Sequence, residues 1–184
     1  MRIAILPTNN PDLLKNMKIA IDLGHNVGND KGATGIKSED ALILEVGNKV
    51  ISKLREREVT VIETLPDSAS SVRDSLQKRV TIANNNEVSR FYSLHFNAFS
   101  SASAKGSEVY YTRSDSKSLA QNIQNELVSL GYYNRGVKQN DFFVTKNTNM
   151  PAVLIESCFV TSPEDMQRYN AEAIANAIVN GILK

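Results

Sequence analysis

Two histidines lie at or just past the ends of apolar runs, where side chains are well placed for metal chemistry. His25 follows Ile19-Ala-Ile-Asp-Leu-Gly, and His95 follows Tyr92-Ser-Leu. A single histidine is more often a hydrogen-bonded structural residue than a ligand. Two at equivalent positions favour a shared metal ion, but spacing alone leaves the structural alternative open because no compact HExxH pattern is present.

A catalytic zinc site also needs a third protein ligand and an open coordination position. Glu39 begins the predicted helix after the loop 24–37, which returns its carboxylate to the mouth of the first strand. An acid at a helix start is also stabilised by the helix dipole, and the local pattern slightly favours that structural role. Glu45, farther along the same helix, is predicted to be a solvated surface residue.

A further carboxylate, Glu156, stands inside the apolar run 152–159. A charge in such a run is costly unless it is paired, protonated or at a strand end beside a partner. A nearby Zn²⁺ would keep Glu156 ionised, and desolvation would raise its pKa toward the range of a general base. The alternative is a buried ion pair, for example with Arg135. Period-2 alternation puts Cys158 on the face of Glu156, where we interpret it as a packing residue.

Short β-type runs alternate with helical periods in the rest of the chain. This pattern predicts a single α/β domain with a mostly parallel, twisted central sheet flanked by helices. In such sheets, functional groups gather at the carboxyl ends of the strands. The predicted strands are 18–22, 59–62, 91–96, 106–111, 142–145 and 152–157. The predicted helices are 39–54, 72–83 and 119–130, followed by a helix start at Ser162 and a closing helix that buries Ile174, Ile178 and Ile182.

Bulk composition excludes several classes of function. The 184 residues suffice for one domain, and a formal net charge of +1 without a basic, aromatic-rich stretch predicts no nucleic-acid partner. No apolar run approaches the roughly 18 residues of a membrane helix, so no membrane insertion is expected. We also expect no secretory signal in this sequence, because the polar segment 8–10 soon interrupts the short apolar run after Arg2. Residues 1–16 are predicted to be a leader or an extra edge strand, preceding a domain at 17–184.

Five separated segments, in order, make the chain resemble the catalytic domain of the zinc N-acetylmuramoyl-L-alanine amidases of the Amidase_3 type. They are Ile21-Asp-Leu-Gly-His25, Gly35-Ile-Lys-Ser-Glu39 with Leu44, Arg79 with Ala83-Asn84, Ser93-Leu-His-Phe-Asn-Ala98, and Asn134-Arg-Gly-Val-Lys138 leading to Pro151-Ala-Val-Leu-Ile-Glu156. Each segment alone is weak, whereas all five in register are specific.

The resemblance implies that His25, Glu39 and His95 bind one Zn²⁺ and that Glu156 is the catalytic carboxylate. It favours Glu39 over Glu45, because the family's ligand glutamate precedes a helical leucine by five positions, as Glu39 precedes Leu44. Two departures concern loop shape and substrate preference. The segment 26–30 replaces a glycine-rich continuation, and the spacing from Gly35 to Glu39 is one residue longer than in many relatives.

The function that the resemblance implies is hydrolysis of the amide between N-acetylmuramic acid and L-alanine in peptidoglycan by zinc-activated water. Asn97, on the face of His95, either supports the metal ligands or binds substrate, or it is a turn residue. The alternatives are a peptidoglycan-binding domain without turnover and a zinc peptidase cutting within the stem peptide. We expect a monomer that acts on the bacterial cell wall as a phage endolysin, a lysis enzyme or an excised domain of an exported precursor.

Overall fold

The computed structural model of the protein describes residues 17–184, so the prediction for residues 1–16 lies outside the described residues. Six strands form one sheet in the spatial order β2-β1-β3-β6-β4-β5. The strands are β1 (Lys18–Leu23), β2 (Thr60–Glu63), β3 (Arg90–Asn97), β4 (Ser107–Tyr111), β5 (Asn134–Gln139) and β6 (Ala152–Phe159).

The sheet is mostly parallel, as predicted. β2, β1, β3 and β6 pair in parallel, β4 runs antiparallel to β6, and β5 is parallel to β4. The carboxyl ends of β1, β3 and β6 therefore meet at one edge, together with the amino ends of β4 and β5. This edge positions the side chains considered below.

Helices cover both faces of the sheet. They are α1 (Glu39–Arg55), α2 (Val72–Asn85), α3 (Lys117–Ser129), α4 (Phe143–Asn147), α5 (Pro163–Arg168) and α6 (Ala171–Ile182). The larger apolar core lies under α1, α3 and α6, and a smaller one under α2 and α4. Among the described residues, no helix is long and apolar enough to cross a membrane. The single α/β domain predicted from the sequence is confirmed.

Two elements differ from the prediction. The run 142–145 was predicted to be a strand, but it enters the one-turn helix α4, where Val144 packs in the smaller core. A short apolar run does not distinguish a strand from a buried helical turn, which is why this prediction is wrong. The sequence did not indicate β5, because this edge strand is polar, lacks alternation and contains Gly136.

The carboxyl half of β6 contains an irregularity. His95 pairs with Glu156, but Asn97 pairs with Phe159, so β6 has one residue more than β3 across this step. The extra residue changes the phase of alternation, and Cys158 packs in the larger core with Val153 and Ile155. The prediction that Cys158 shares the face of Glu156 is therefore wrong, whereas its interpretation as a packing residue agrees with its burial.

Candidate metal centre and catalytic cleft

Glu39 lies between the two histidines. Its Oε1 is 3.4 Å from Nε2 of His25 and 3.2 Å from Nδ1 of His95. One ligand atom from each of the three residues lies within 4.8 Å of the others. Thus β1, α1 and β3, which are distant in sequence, bring the three predicted ligands to one point.

These distances fit a zinc ion. Tetrahedral coordination with bonds of about 2.0–2.1 Å places ligand atoms about 3.3 Å apart, close to both measured separations. Two imidazole nitrogens and one carboxylate oxygen are also a donor set of catalytic zinc sites, and they leave a fourth position for solvent or substrate. The residues present therefore fit Zn²⁺.

The ring of His25 is oriented by Asp30. His25 Nδ1 is 2.8 Å from Asp30 Oδ1, and because a carboxylate only accepts, Nδ1 carries the proton and Nε2 is free to bind a cation. The Ser75 hydroxyl donates to the other oxygen of Asp30 at 2.7 Å. His25 itself has a positive φ of 56°, a conformation that is rare for a residue with a side chain.

The ring of His95 is oriented by Ser93. The Ser93 hydroxyl donates to Asp22 Oδ2 at 2.6 Å, so its oxygen can accept from His95 Nε2–H at 3.1 Å. This leaves Nδ1 as the ligand atom. Gly24 packs against the ring so closely that a Cβ there would lie 2.3 Å from His95 Cε1. The absence of a side chain at Gly24 is therefore a steric requirement of the site.

A buried arginine holds the backbone of the first ligand loop. Arg79 of α2 donates to Asp22 Oδ1 at 2.7 Å, to the carbonyl of Leu23 at 2.5 Å and to the carbonyl of His25. Burial alone would raise the pKa of Asp22, but the adjacent Arg79 and the hydroxyls of Ser93 and Thr64 hold it below its ordinary value. Asp22 is thus an ionised partner of Arg79.

The electrostatic environment of the three ligands favours a cation. Burial disfavours the charged form of His25, yet Glu39 and Asp30 outweigh burial and raise its pKa to about 9. Burial would raise the pKa of Glu39, but its interactions with both histidines and the hydrogen bond from the Ala33 amide hold it far below its ordinary value. Without a metal, a proton on His25 satisfies this demand for positive charge.

Glu156 lies beside His95, as its register partner on the neighbouring strand. Its Oε2 is buried and has no hydrogen-bond partner among the described residues. Burial first, and then the negative charges of Glu39 and Glu108, raise its pKa well above the ordinary value. A carboxylate with a raised pKa and an unpartnered oxygen, in the lining of a cleft, is a candidate general acid–base group.

The ion pair considered as an alternative for Glu156 is not formed. Arg135 Nε instead donates to Glu108 Oε2 at 2.9 Å. Asn97, predicted to bind substrate or to occupy a turn, is the last residue of β3, and its Nδ2 donates to Glu108 Oε1 at 2.7 Å. The exposed Glu45 accepts from the Tyr169 hydroxyl, away from the three ligands.

The three predicted ligands, together with Glu156 and Asn97, line a cleft of about 410 Å³. Apolar side chains of α2 and of the segment that enters α4 also line the cleft: Val72, Leu76, Phe142 and Phe143. The cleft thus combines a cation site and a carboxylate with an apolar surface for substrate.

Sequence reasoning assigned no role to three residues of the site. Asp30 and Asp22 support the histidines, and Glu108 of β4 lies beside Glu156. An acid inside the apolar run of β1 was a signal for Asp22. Asp30 follows in a polar loop and Glu108 sits in a short strand, and neither position is distinctive in sequence.

Comparison with known proteins agrees with the geometry. The family model Amidase_3, described as N-acetylmuramoyl-L-alanine amidase, matches residues 19–184. The chain is 36% identical to the N-acetylmuramoyl-L-alanine amidase LytC of Bacillus subtilis over 82% of its own length and 31% of LytC. It is 31% identical to the endolysin of Bacillus phage SPP1, over 88% of the chain and 61% of that protein. The chain thus spans less than two thirds of either relative.

The fold also agrees with solved structures. The N-acetylmuramoyl-L-alanine amidase from Clostridium difficile 630 superposes with a TM-score of 0.81 at 34% identity, covering 91% of this chain and 95% of that one. The match of the family model to nearly all described residues, on the same fold, settles the classification. The chain belongs to the Amidase_3 family of N-acetylmuramoyl-L-alanine amidases.

Proposed function

We propose that His25, Glu39 and His95 hold one Zn²⁺ per chain and that Glu156 is the catalytic acid–base group. The reaction is hydrolysis of the amide between N-acetylmuramic acid and L-alanine of peptidoglycan. The observation that carries this proposal is the pairing of His95 with Glu156 on adjacent strands, which puts a carboxylate with a buried, unpartnered Oε2 beside His95, in the cleft that His25, Glu39 and His95 line.

Bound zinc supplies a Lewis acid that polarises the scissile carbonyl and lowers the pKa of water. Glu156 takes the proton of the attacking water and later returns it to the departing amine of L-alanine. The raised pKa of Glu156 suits both roles, since an acid–base group works best when its pKa lies near the working pH. The same carboxylate can therefore act first as base and then as acid.

The surrounding residues keep the reacting groups in place. Asp30 and Ser93 fix which nitrogen of each histidine faces the cation, and Arg79 fixes the backbone on both sides of Gly24. Phe142 and Phe143 in the cleft lining offer the substrate an apolar contact surface. These residues position and do not react.

The first test separates metal binding from proton transfer. Glu156→Gln should retain about one zinc per chain by metal analysis and lose about 10²–10⁴-fold in turnover, the usual contribution of an acid–base group. His95→Ala should lose the zinc itself. Full activity of Glu156→Gln would contradict the proposal.

The second test identifies the bond that is cut. Digestion of purified peptidoglycan should release new L-alanine amino termini and no new reducing sugar ends. New amino termini on residues farther along the stem peptide would instead identify a peptidase, and binding of peptidoglycan without any product would identify a binding domain.

We further propose that residues 17–184 form a monomeric catalytic domain acting on the bacterial cell wall. Similarity to a phage endolysin and to a bacterial amidase supports this site of action. The protein reaches the wall either as a phage endolysin or other lysis enzyme, or as a domain of an exported precursor. Sedimentation of the purified chain tests the monomer, and fractionation of the source cells tests the route.

A further inference from the structure

A second pocket, of about 370 Å³, adjoins the cleft, and Asn97 lines both. Its walls include the basic side chain of Arg135 and the exposed aromatic ring of Phe99. The segment 134–138, which carries Arg135 and Lys138, has no role in the metal centre. The metal centre therefore explains neither this pocket nor the two basic side chains of the segment 134–138.

Glu108 organises the pocket. Its side chain is only 3% exposed, and its Oε1 accepts from Asn97 Nδ2 at 2.7 Å and from the Tyr110 hydroxyl at 2.9 Å. Its Oε2 accepts from Arg135 Nε at 2.9 Å and from Lys138 Nζ. One buried negative charge thus holds two positive charges, so this cluster of Glu108, Arg135 and Lys138 keeps a surplus of one.

A bulge puts Arg135 beside Glu108. The register of β4 with β5 moves from Ser107 opposite Asn134 to Val109 opposite Val137, so Arg135 and Gly136 together face Glu108. Gly136 has a φ of +85°, which a glycine adopts without strain. The glycine thus allows β5 to accommodate the extra residue without backbone strain.

The two cations retain donors for a ligand. The side chains of Arg135 and Lys138 are 31% and 40% exposed. Among residues 17–184, no hydrogen bond is formed by the Nη groups of Arg135, whose guanidinium lies 4.9 Å from the centre of the Phe159 ring. A guanidinium held by its Nε can still bind a carboxylate through its Nη protons.

The distance to the catalytic carboxylate matches a short peptide. Glu108 faces Glu156 across the β4–β6 pair, and Arg135 lies one strand beyond. Two strand spacings are about 10 Å, and an extended peptide advances about 3.3–3.6 Å per residue. A peptide whose first amide lies at Glu156 therefore brings its second or third residue to Arg135.

We infer that Arg135 and Lys138, held by Glu108, form a subsite for the free carboxylate of an acidic second residue of the stem peptide. This inference rests on the proposed function and adds to it a substrate class: peptides with a carboxylate, rather than a carboxamide, on that residue. Phe99 forms the apolar side of the subsite.

The test compares two soluble muramyl peptides that differ only in a carboxylate or a carboxamide on the second residue. The zinc-loaded enzyme should prefer the carboxylate in kcat/KM by about tenfold, the lower range for a charge-assisted bond because both cations are partly exposed. Arg135→Gln should reduce this ratio to about one. Arg135→Lys should give an intermediate ratio, because lysine keeps the positive charge but cannot bind a carboxylate through two parallel N–H donors.

Arg55→Gln is the matched control. Arg55, at the end of α1, also pairs with a glutamate at 2.8 Å, but this glutamate, Glu63, lies on β2, at the opposite edge of the sheet. The Arg55→Gln variant should keep the preference of the unmodified enzyme for the carboxylate peptide. Equal cleavage of both peptides by the unmodified enzyme, or an unchanged ratio in Arg135→Gln, would overturn the subsite and leave the proposed function intact.

Binding separates the two proposals if neither peptide is cleaved. Such a result would overturn the proposed function. Calorimetric titration of the zinc-loaded enzyme with the same two peptides then decides the subsite: about tenfold tighter binding of the carboxylate form supports it, and equal affinity overturns it.

Discussion

Arg79 Nη1 lies 2.7 Å from Asp22 Oδ1, and both side chains are 1% exposed. A fully buried ion pair contributes little net stability compared with apolar residues, but removal of one partner leaves an uncompensated charge in the core. Here the pair also joins α2 to the end of β1, just before His25, the first of the proposed metal ligands. Damage to it should therefore affect both the fold and the metal centre.

Arg79→Met should lower the free energy of unfolding by about 3–5 kcal/mol, the usual cost of breaking a buried pair, as measured by urea denaturation. Arg55→Met removes the exposed pair with Glu63 and should cost at most about 1 kcal/mol. If Arg79→Met lowered the free energy of unfolding as little as Arg55→Met, the loss of Arg79 would not leave an uncompensated charge on Asp22. The double variant with Asp22→Asn should recover part of the loss, because neither charge is then left alone.

Asp30→Asn should weaken zinc binding by about 10–100-fold, the usual effect of losing a residue that orients a metal-bound histidine. The amide can present its NH₂ group to His25 Nδ1 and no longer fixes the tautomer that frees Nε2. Competition with a chromogenic chelator measures the affinity. Glu63→Gln, at an exposed carboxylate, should leave it unchanged, and an unchanged affinity in Asp30→Asn would count against the assigned role.

Zinc binding should depend on pH up to about 9. In the metal-free protein, Glu39 and Asp30 outweigh burial and raise the pKa of His25 to about 9, so the metal must displace a proton at neutral pH. The apparent affinity should then rise by about tenfold per pH unit between 7 and 9 and level off above. Calorimetry in buffers of different ionisation enthalpy should detect about one proton released per zinc bound at pH 7. No release would contradict a charged His25.

The same raised pKa predicts the pH dependence of the metal-free fold. Protonated His25 stabilises the folded state, and this contribution is fully present below the pKa of an unfolded histidine, about 6.5. It should disappear as the pH rises from there through about 9. Urea denaturation of metal-free protein should show this decline, and His25→Gln should remove it.

Gly24→Ala should displace the ring of His95. The added Cβ would lie 2.3 Å from Cε1 and 2.4 Å from Nε2, and the ring has little freedom because Ser93 and Glu39 hold both nitrogens. We expect loss of zinc by metal analysis. Gly136→Ala is the control: its Cβ meets no atom within 4 Å, so it should keep zinc and lose only about 1–2 kcal/mol of stability to the positive φ. Zinc retention in Gly24→Ala would show that the ring can move.

The sequence predicted the architecture because most elements have strong periodic signals. The apolar run of β1 and the one-sided stripe of α1 are recognisable without tertiary information. β5 was missed because it is a polar edge strand without alternation, and two of its residues, Arg135 and Lys138, are held by Glu108, a contact that only the fold creates. The error at α4 has the opposite cause: a strongly apolar run shorter than two helical turns has no readable period.

The site could be predicted only in part from local pattern. His25 and His95 stand at strand ends, but Glu39 serves as a helix-start acid and a neighbour of both histidines at once, and only the second role depends on the fold. The choice of Arg135 as a partner for Glu156 failed because β4 lies between their strands and supplies Glu108 as a nearer partner. Pairing across a sheet cannot be derived from spacing along the chain.

The extra residue in β6 has a practical outcome for anyone who handles the protein. It turns the only cysteine of the sequence inward, where Cys158 is fully buried and its pKa is raised to well above the ordinary value by burial and by nearby Asp165. Alkylating reagents can reach this thiol only when the domain opens. The rate at which an alkylating reagent labels Cys158 therefore reports the opening of the domain, and it can be measured without substituting any residue of the cleft.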